Sequence, residues 1–292
     1  MTIPFTKMQG LGNDYVYVDL VNEGNLVNEV NQPNQLNTQL STLNFFQLST
    51  LNSQLLTTLC DRHFGIGSDG VVLILPSEAA DFKMRIFNAD GSEAEMCGNA
   101  ARCVGKYVYE HGLTDKTNLT LETLAGIKQI VLHIKEDKVA SVSVNMGKPV
   151  CVVNEVNQPN QPNQLINPIN FINIGNPHAV VFVEEPLDNY PVAEQGRAIE
   201  TSVDGGINVE FVRVINDHEL QMRVWERGSG ETMACGTGAC AAVVAGVVNK
   251  GMKRDAVVHL RGGDLNIHWD KTTDEIWQTG PAIEVFHGEI EI

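Results

Sequence analysis

The sequence predicts an α+β fold of two pseudo-symmetric mixed α/β domains, each a strand-rich sheet wrapped around a central helix, with the functional site in the cleft between them. Most regular segments are β-branched or aromatic runs with frequent alternation, which is typical of strands. Good helical runs are few, and two of them begin just after a Cys-Gly pair. The order strand, loop, Cys-Gly, helix and further strands occurs once per half. This repetition favours two similar domains over one large domain in which the repeat is coincidental.

Nine segments are predicted to be strands from their composition and alternation. They are residues 15–20, 71–75, 82–87, 119–123, 129–134, 139–145, 179–183, 208–215 and 220–225. Two hairpins are predicted near the end of the chain, at 259–269 around Gly262-Gly263 and at 283–292 around His287-Gly288. The predicted helices are residues 100–110, 191–200 and 238–249.

The repeat also sets the expected domain boundaries. The N-terminal domain is predicted to span residues 1–141 and to be completed by residues 281–292. The C-terminal domain is predicted to span residues 142–280.

Two polar stretches interrupt the repeat. Residues 27–35 read VNEVNQPNQ, and residues 153–161 have the same nine residues. Around them, about 22–56 and 154–170 are dominated by Asn and Gln, the first also by Leu, Thr and Ser. Such sequence buries too little apolar surface to offset the entropy of ordering. Both stretches are therefore predicted to be surface insertions, the first with an irregular amphipathic helix over residues 40–56.

Composition limits the classes of partner and compartment. The formal net charge of −16 argues against nucleic acid or an anionic membrane as a partner. No stretch approaches the roughly 20 apolar residues that cross a bilayer, and the first residues lack a signal-peptide core. Six cysteines are too few for a disulfide scaffold, and the pairs 97/103 and 235/240 lack the spacing of a zinc site. We expect a cytoplasmic protein with free thiols and no metal site.

Two segments 138 residues apart carry one signature. Glu93-Ala94-Glu95-Met96-Cys97-Gly98-Asn99 is echoed by Glu231-Thr232-Met233-Ala234-Cys235-Gly236-Thr237, and an alanine-rich run follows each. A cysteine at the start of a helix lies near unpaired backbone N–H groups and the positive end of the helix dipole, which favour a thiolate. Two such cysteines suggest two thiols that face one substrate from opposite sides.

Two opposed thiols can invert the α-carbon of an amino acid. The reaction needs a base on one face of the carbon and an acid on the other, and a thiolate and a thiol exchange these roles in the reverse direction. No lysine for a pyridoxal Schiff base is required. The developing negative charge must be stabilised by hydrogen-bond donors at the substrate carboxylate, which helix N-termini supply.

At this point the chain resembles a known family. The segments that carry the resemblance are, in order, KMQGLGNDY, DRHFGIGSDG, RIFNADGSEAEMCGNAARC, GNPHAVVFV, INVEFV and VWERGSGETMACGTGACAA. They are similar to those of diaminopimelate epimerase, a pyridoxal-independent family that uses two cysteines. The resemblance covers nearly the whole chain outside the two polar insertions. Gly70 and Ala179 depart from residues common in the family at those positions.

The resemblance implies a role for each matching residue. Cys97 and Cys235 match the catalytic acid/base cysteines, Glu226 an acid near the reacting centre, and His178 a histidine that helps to ionise a cysteine. The residues that match substrate-binding positions are Asn13, Asn88, Gly98, Asn99, Asn176, Asn208, Glu226, Arg227, Gly236 and Thr237. Among these, Arg227 is expected to clamp the distal carboxylate.

The resemblance also implies the reaction. The expected substrate is the small molecule diaminopimelate, with LL-2,6-diaminoheptanedioate and the meso form interconverted in lysine and peptidoglycan precursor synthesis. No metal or organic cofactor is implied, and the family suggests a homodimer. Two alternatives stay open: a two-cysteine racemase of proline or hydroxyproline, and a non-catalytic protein that only captures an amino acid.

Overall fold

The computed structural model describes residues 2–21, 53–152 and 169–291. Both copies of VNEVNQPNQ and most of the predicted helix over 40–56 lie outside these residues. The chain divides into two compact units. Unit 1 comprises Met1–Gly10, Asp14–Val139 and Ala282–Ile292, and unit 2 comprises Leu11–Asn13 and Ala140–Pro281.

Unit 1 contains a sheet and a long helix. Its elements are β1 (Thr2–Gly10), β2 (Asn13–Asp19), α1 (Ser53–Cys60), β3 (Gly70–Leu75), β4 (Phe82–Asn88), β5 (Glu93–Ala94), α2 (Gly98–Glu110), β6 (Asn118–Thr123), β7 (Gly126–Lys135) and β18 (Ile283–Glu291). Strand β2 pairs in parallel with β3, β3 with β4 in the antiparallel sense, and β4 in parallel with β6. Helix α2 packs against β1, β4 and β7, which makes it the central helix of the unit.

Unit 2 repeats this plan. Its elements are β8 (Lys138–Gly147), β9 (Val150–Val152), β10 (Ile169–Asn173), β11 (Pro177–Phe182), a 3₁₀ turn (Leu187–Asn189), α3 (Val192–Ser202), β12 (Asn208–Asn216), β13 (Glu219–Glu226), β14 (Gly230–Thr232), α4 (Gly236–Lys250), β15 (Asp255–Leu260), β16 (Gly263–Trp269) and β17 (Ile276–Gly280). Helix α4 packs against β10 to β13 and β15 to β17, so the sheet wraps around it. Its apolar residues face every direction and are buried, as expected of a helix enclosed by protein.

The strand pairings of the two units correspond one by one. The set β2, β3, β4, β5, α2, β6, β7 has the same connections as β11, β12, β13, β14, α4, β15, β16. In each, the first two strands are parallel, the third pairs with a short strand before the helix, and the strand after the helix returns parallel to the third. The predicted α+β class and its pseudo-symmetric repeat are therefore confirmed.

The core of unit 1 joins the sheet to helix α1. Val71 and Leu73 of β3 are fully buried and form one cluster with Leu56 and Leu59 of α1. The predicted first insertion overlaps this helix, because Ser53–Leu56 belong to α1 and Leu56 lies in the core. The second predicted insertion likewise overlaps β10, because the first two residues of that strand, Ile169 and Asn170, belong to the predicted insertion.

Of the two hairpins predicted near the end of the chain, one is absent from the structure and one is present. The hairpin predicted around His287-Gly288 is wrong, because β18 is one continuous strand that pairs with β1 across its length, with His287 opposite Thr6 and Gly288 opposite Phe5. The His-Gly pair resembles a turn locally, but a partner strand at the other end of the chain keeps it extended. The hairpin predicted at 259–269 is confirmed as β15 and β16. No helix in the described ranges is long and apolar enough to span a membrane.

Candidate functional site

The two signature cysteines occupy the same structural position in their units. Cys97 is the N-cap residue of α2 and Cys235 is the N-cap residue of α4. Both have extended backbones, with φ and ψ of −138° and 120° at Cys97 and −121° and 113° at Cys235. The first N–H groups of a helix have no partner within it. The Cys235 sulfur accepts from one of them, the Gly238 N–H, whereas the Cys97 side chain makes no cap hydrogen bond. The two Cys-Gly elements, which share a sequence pattern, therefore also share a backbone conformation and a position at the start of a helix.

Cys97 lies in a part-buried setting near a tyrosine. The Tyr15 hydroxyl is 3.7 Å from Cys97 Sγ and can donate to it. The next residues, Gly98 and Asn99, form the first turn of α2. Asn99 Oδ1 accepts a 2.8 Å hydrogen bond from Nη2 of Arg102, which is fully buried. The side chain of Asn99 is therefore held inside the unit.

Asn88 ends β4 and closes the following turn. Its Nδ2 donates to Ser92 Oγ at 3.0 Å, and its backbone N–H donates to the Ser92 carbonyl at 2.8 Å. Gly91, with φ of 84°, allows the chain to reverse there. Asn13 begins β2, and Gly12 before it also has a positive φ of 83°. Both asparagines thus stand at strand ends next to glycine turns.

Cys235 lies in a more enclosed and more acidic setting than Cys97. Its sulfur accepts from the backbone N–H of Gly238 at 3.4 Å, and Thr237 Oγ1 is also 3.4 Å away. Burial raises the pKa of the Cys235 thiol well above its usual value, and the Glu226 and Glu210 carboxylates raise it further. The hydrogen bonds from Thr237 and Gly238 oppose this shift without overcoming it. Desolvation and two nearby carboxylates thus oppose, at Cys235, the thiolate that the helix terminus favours.

Glu226 is the last residue of β13, and its carboxyl group lies beside Cys235. Burial raises the pKa of this carboxyl, and it hydrogen-bonds both the Thr232 hydroxyl and the Cys235 thiol. Arg227 is exposed, and its Nη1 is 3.4 Å from the Gly205 carbonyl oxygen. Among the described residues its guanidinium forms no salt bridge, so Glu226 and Arg227 are not paired with each other. This leaves the positive charge of Arg227 suited to an external carboxylate.

The remaining predicted residues of unit 2 lie on neighbouring strands. His178 of β11 is opposite Asn208 of β12. The Asn208 side chain donates to the Pro177 carbonyl at 3.1 Å and accepts from the Arg227 backbone N–H at 3.0 Å. Asn208 therefore fixes the backbone on both sides of the site.

His178 is completely buried, and both of its ring nitrogens are engaged. Nδ1 is 2.7 Å from Glu210 Oε1, and Nε2 is 2.9 Å from Asn176 Oδ1. Neither nitrogen contacts the sulfur of Cys235. Asn176 in turn donates from Nδ2 to Thr237 Oγ1 at 3.4 Å. Within unit 2, Cys235, Thr237, Asn176 and His178 thus form one connected group.

Three residues of these groups are absent from the sequence predictions: Tyr15, Arg102 and Glu210. Each lies inside a segment that carries the family resemblance. Glu210 had the clearest signal, because a charged residue interrupts the apolar strand segment INVEFV. Its buried partner is 32 residues away, which a single sequence does not reveal. In the described part of the chain no group of His, Cys, Asp and Glu side chains is arranged to hold a metal ion.

Comparisons with known proteins agree with the geometry. The family model of diaminopimelate epimerase matches residues 5–152 and 170–285. The chain is 47% identical over 300 residues to the diaminopimelate epimerase of Methanococcus maripaludis strain C6, with 99% of each covered. It is 45% identical over 300 residues to that of Acetivibrio thermocellus, with 99% of this chain and 98% of the relative covered.

Two solved structures share the fold at low sequence identity. A phenazine biosynthesis protein of the PhzF family from Bacillus anthracis superposes with a TM-score of 0.70 at 19% identity, with 100% of both chains covered. A hydroxyproline epimerase from Agrobacterium vitis gives a TM-score of 0.69 at 14% identity, with 99% of this chain and 91% of that chain covered.

Proposed function

Because this chain belongs to the diaminopimelate epimerase family, we propose that it interconverts LL- and meso-2,6-diaminoheptanedioate by proton transfer at one α-carbon. The observation that carries the proposal is the pair of cysteines at equivalent helix N-caps of two matching units. This duplication suits a reaction that treats the two faces of one carbon alike. The product enters the synthesis of lysine and of peptidoglycan precursors.

In this mechanism one sulfur is a thiolate and the other a thiol at the start of each turnover. The thiolate takes the α-hydrogen as a proton, the electron pair stays on the α-carbon and its carboxylate, and the thiol returns a proton to the opposite face. The two sulfurs end with exchanged protonation states, so the reverse reaction uses the same groups. The acidic, buried setting of Cys235 supports its role as the thiol, and the Tyr15 hydroxyl supports Cys97 as the thiolate.

Glu226 is proposed to exchange a proton with Cys235. Its carboxyl already hydrogen-bonds the thiol, and burial raises its pKa, so a proton can move between the two groups at modest cost. The backbone N–H groups of Gly98, Asn99, Gly236 and Thr237 are proposed to hold the carboxylate at the reacting centre. Asn13, Asn88, Asn176 and Asn208 are proposed to bind the substrate's polar groups, and Arg227 its distal carboxylate.

The direct test is α-hydrogen exchange followed by NMR in D2O, without added pyridoxal phosphate. We expect deuterium uptake and interconversion of the two isomers with the wild-type protein, and a loss of at least about a thousandfold in Cys97→Ala and in Cys235→Ala. Cys240→Ala is the matched control, because Cys240 is a buried cysteine of the same helix α4 outside the proposed site. Exchange that survives in both active-site variants would contradict the two-thiol mechanism.

The same assay separates the alternatives. A proline or hydroxyproline racemase would have no use for a clamp on a distal carboxylate, so Arg227→Ala would leave activity on the true substrate nearly intact. For diaminopimelate we expect Arg227→Ala to raise KM by about a hundredfold. A protein that only binds its ligand would give no deuterium uptake, and its binding would survive Cys97→Ala.

We further infer a cytoplasmic homodimer. None of the six cysteines, all of which lie in the described ranges, forms a disulfide, which supports a reducing compartment. Ile283, Val285 and Phe286 of β18 are large apolar side chains that are about half exposed, and they are candidates for the contact with a second copy. Phe286→Glu should shift the mass measured by light scattering from dimer to monomer, while Phe64→Glu, at another exposed phenylalanine, should not. A wild-type protein that is monomeric at micromolar concentration would contradict this inference.

A further inference from the structure

The chain around Arg227 is held by a carboxylate that lies outside the segments carrying the family resemblance. This carboxylate is Glu200, near the end of α3, and both of its oxygens accept hydrogen bonds. Oε2 accepts from the indole Nε1 of Trp225 at 2.6 Å, and Oε1 accepts from the backbone N–H of Gly228 at 2.8 Å. Glu200 therefore binds the chain on both sides of the pair Glu226-Arg227.

The direction of both hydrogen bonds follows from the chemistry of the donors. An indole nitrogen and a backbone amide nitrogen each carry a hydrogen and can only donate. Glu200 must therefore accept at both oxygens, which a carboxylate does and a carboxamide cannot, because one end of a carboxamide is an NH2 donor. A glutamine at position 200 would satisfy either Trp225 or Gly228 and would turn its NH2 group toward the N–H of the other.

The residues that Glu200 holds form the turn between β13 and β14. The Ser229 N–H donates to the Glu226 carbonyl at 3.1 Å, which makes Arg227 and Gly228 the two central residues of a tight turn. Gly228 has a positive φ of 76°, which glycine readily adopts at the third position of such a turn. The N–H of Gly228 takes no part in the hydrogen bond that closes the turn. Its bond to Glu200 thus anchors the turn to helix α3.

The side chain of Arg227 is held by residues just after α3. An added Cβ at Gly206 would lie 2.9 Å from both Cγ and Cδ of Arg227 and 3.6 Å from Cγ of Glu200, so both side chains lie against this glycine. The Arg227 Nη1 is 3.4 Å from the Gly205 carbonyl oxygen. The stem of Arg227 is thus supported while the residue remains exposed to an incoming ligand.

We propose that Glu200 is a positioning residue that holds the turn at Gly228 so that the Arg227 guanidinium is directed at the distal carboxylate of the substrate. The proposal rests on the proposed function in taking Arg227 as the clamp on that carboxylate. A planar guanidinium binds a carboxylate bidentately only in one orientation, and fixing that orientation beforehand reduces the entropy lost on binding. The neighbouring Glu226 has its own partner in the Thr232 hydroxyl. Glu200 therefore acts on substrate affinity and not on proton transfer.

The first test is a double-mutant cycle of Glu200→Gln and Arg227→Ala, read by KM and kcat for diaminopimelate. We expect Glu200→Gln to raise KM by about tenfold with kcat within about threefold of wild type, and to raise KM by less than about twofold in the Arg227→Ala background. The sign is informative, because removing a negative charge near Arg227 would by itself favour an anionic substrate and lower KM. Glu194→Gln, at an exposed glutamate in the first turn of α3, is the matched control and should change neither constant.

The second test needs no substrate. The 15N–1H signal of Arg227 Nε, assigned by its loss in Arg227→Lys, reports the order of the side chain through its heteronuclear NOE. In Glu200→Gln we expect this NOE to fall toward the value of a mobile side chain, while Glu194→Gln keeps the wild-type value. Trp225→Phe removes the indole donor, so in the double variant with Glu200→Gln the glutamine oxygen is left for the N–H of Gly228. The NOE should then return toward the wild-type value.

Equal effects of Glu200→Gln on KM in the wild-type and Arg227→Ala backgrounds would overturn the proposal, as would a fall in kcat with KM unchanged. An NOE of Arg227 that is the same in Glu200→Gln and wild type would also overturn it. A fall in NOE that Trp225→Phe does not reverse would do so too, because the loss of order would then come from general packing. If diaminopimelate shows no exchange while the NOE falls and recovers as expected, the proposed substrate is wrong and the role of Glu200 in holding Arg227 is supported.

Discussion

The two cysteines share a backbone position but differ in the side chains around them. Cys97 has a phenolic donor, whereas Cys235 has two carboxylates within electrostatic reach. The proposed two-base reaction needs one thiolate and one thiol at any time, and we expect this difference in neighbours to favour Cys97 as the thiolate and Cys235 as the thiol.

The effect of Glu226 on Cys235 can be tested by removing its charge. The Glu226 carboxylate raises the pKa of the Cys235 thiol, so Glu226→Gln should lower that pKa and raise the thiolate fraction at a fixed pH below it. We expect alkylation of Cys235 by iodoacetamide, measured by peptide mass spectrometry, to become about tenfold faster while α-hydrogen exchange becomes at least tenfold slower. Glu231→Gln, which removes a part-buried carboxylate paired with Arg223, should change neither rate. An unchanged alkylation rate in Glu226→Gln would show that the Glu226 charge does not contribute to the raised pKa.

Tyr15 is expected to influence Cys97 in the opposite sense. A hydrogen bond donated to sulfur favours the thiolate, so Tyr15→Phe should slow alkylation of Cys97 by roughly threefold to tenfold at fixed pH. Tyr17→Phe is the control, since the Tyr17 hydroxyl donates to the Ala100 carbonyl and not to that sulfur. If both variants slow alkylation equally, the effect comes from a change in the core and not from the donor.

At the level of secondary structure, helix α4 depends on a few close approaches that glycine permits. Gly238 faces the Glu210 carboxylate, and Gly236 faces the buried Gln278 amide, whose Oε1 would be 2.4 Å from an added Cβ. Both glycines lie in the first turn of α4, directly after Cys235. The glycines of this signature therefore let the helix start close to polar groups of the neighbouring strands.

Gly238→Ala should disturb the site more than a matched change further along the helix. An added methyl group meets the Glu210 carboxylate at 2.5 Å, and the fully buried side chain has little room to move, so we expect a loss of about 1–3 kcal/mol in stability and a fall in exchange rate. Gly246→Ala on the same helix meets the flexible end of Met252 and should cost less. Thermal unfolding and the deuterium assay measure both effects. Equal losses in the two variants would contradict this reasoning.

Features that depend on residues adjacent in the chain could be predicted from the sequence, and features that depend on distant residues could not. The Cys-Gly helix starts were predictable because the signal is local, with the cap, the glycine and the alanine-rich run adjacent in the chain. The continuous strand β18 was not, because its partner β1 begins at Thr2. The candidate residues came from motifs, while the link between His178 and Glu210 required knowledge of which strands are neighbours.

For the molecule as a whole, acid should weaken unit 1 through its buried ion pairs. Hydrogen bonds from Arg62 and Lys7 lower the pKa of Asp14 below its usual 3.8, although burial opposes them. A carboxylate whose pKa is lowered by folding contributes stability above its unfolded pKa, and this is lost as the pH falls through the folded value. Lys7 is nearly buried and also contacts the Gly67 carbonyl, so the pair has limited access to water.

Asp14→Asn should therefore destabilise the protein most at neutral pH. We expect a loss of about 3 kcal/mol there, because the change leaves the buried Lys7 ammonium without its carboxylate. The gap from wild type should narrow as the pH falls below the usual 3.8 and through the lowered pKa of the folded state, where Asp14 itself becomes protonated. Urea unfolding at a series of pH values measures the gap, with Asp137→Asn on an exposed turn as the control that should stay close to wild type throughout. A gap that is constant with pH would mean that Asp14 acts through its shape and hydrogen bonds, and not through its charge.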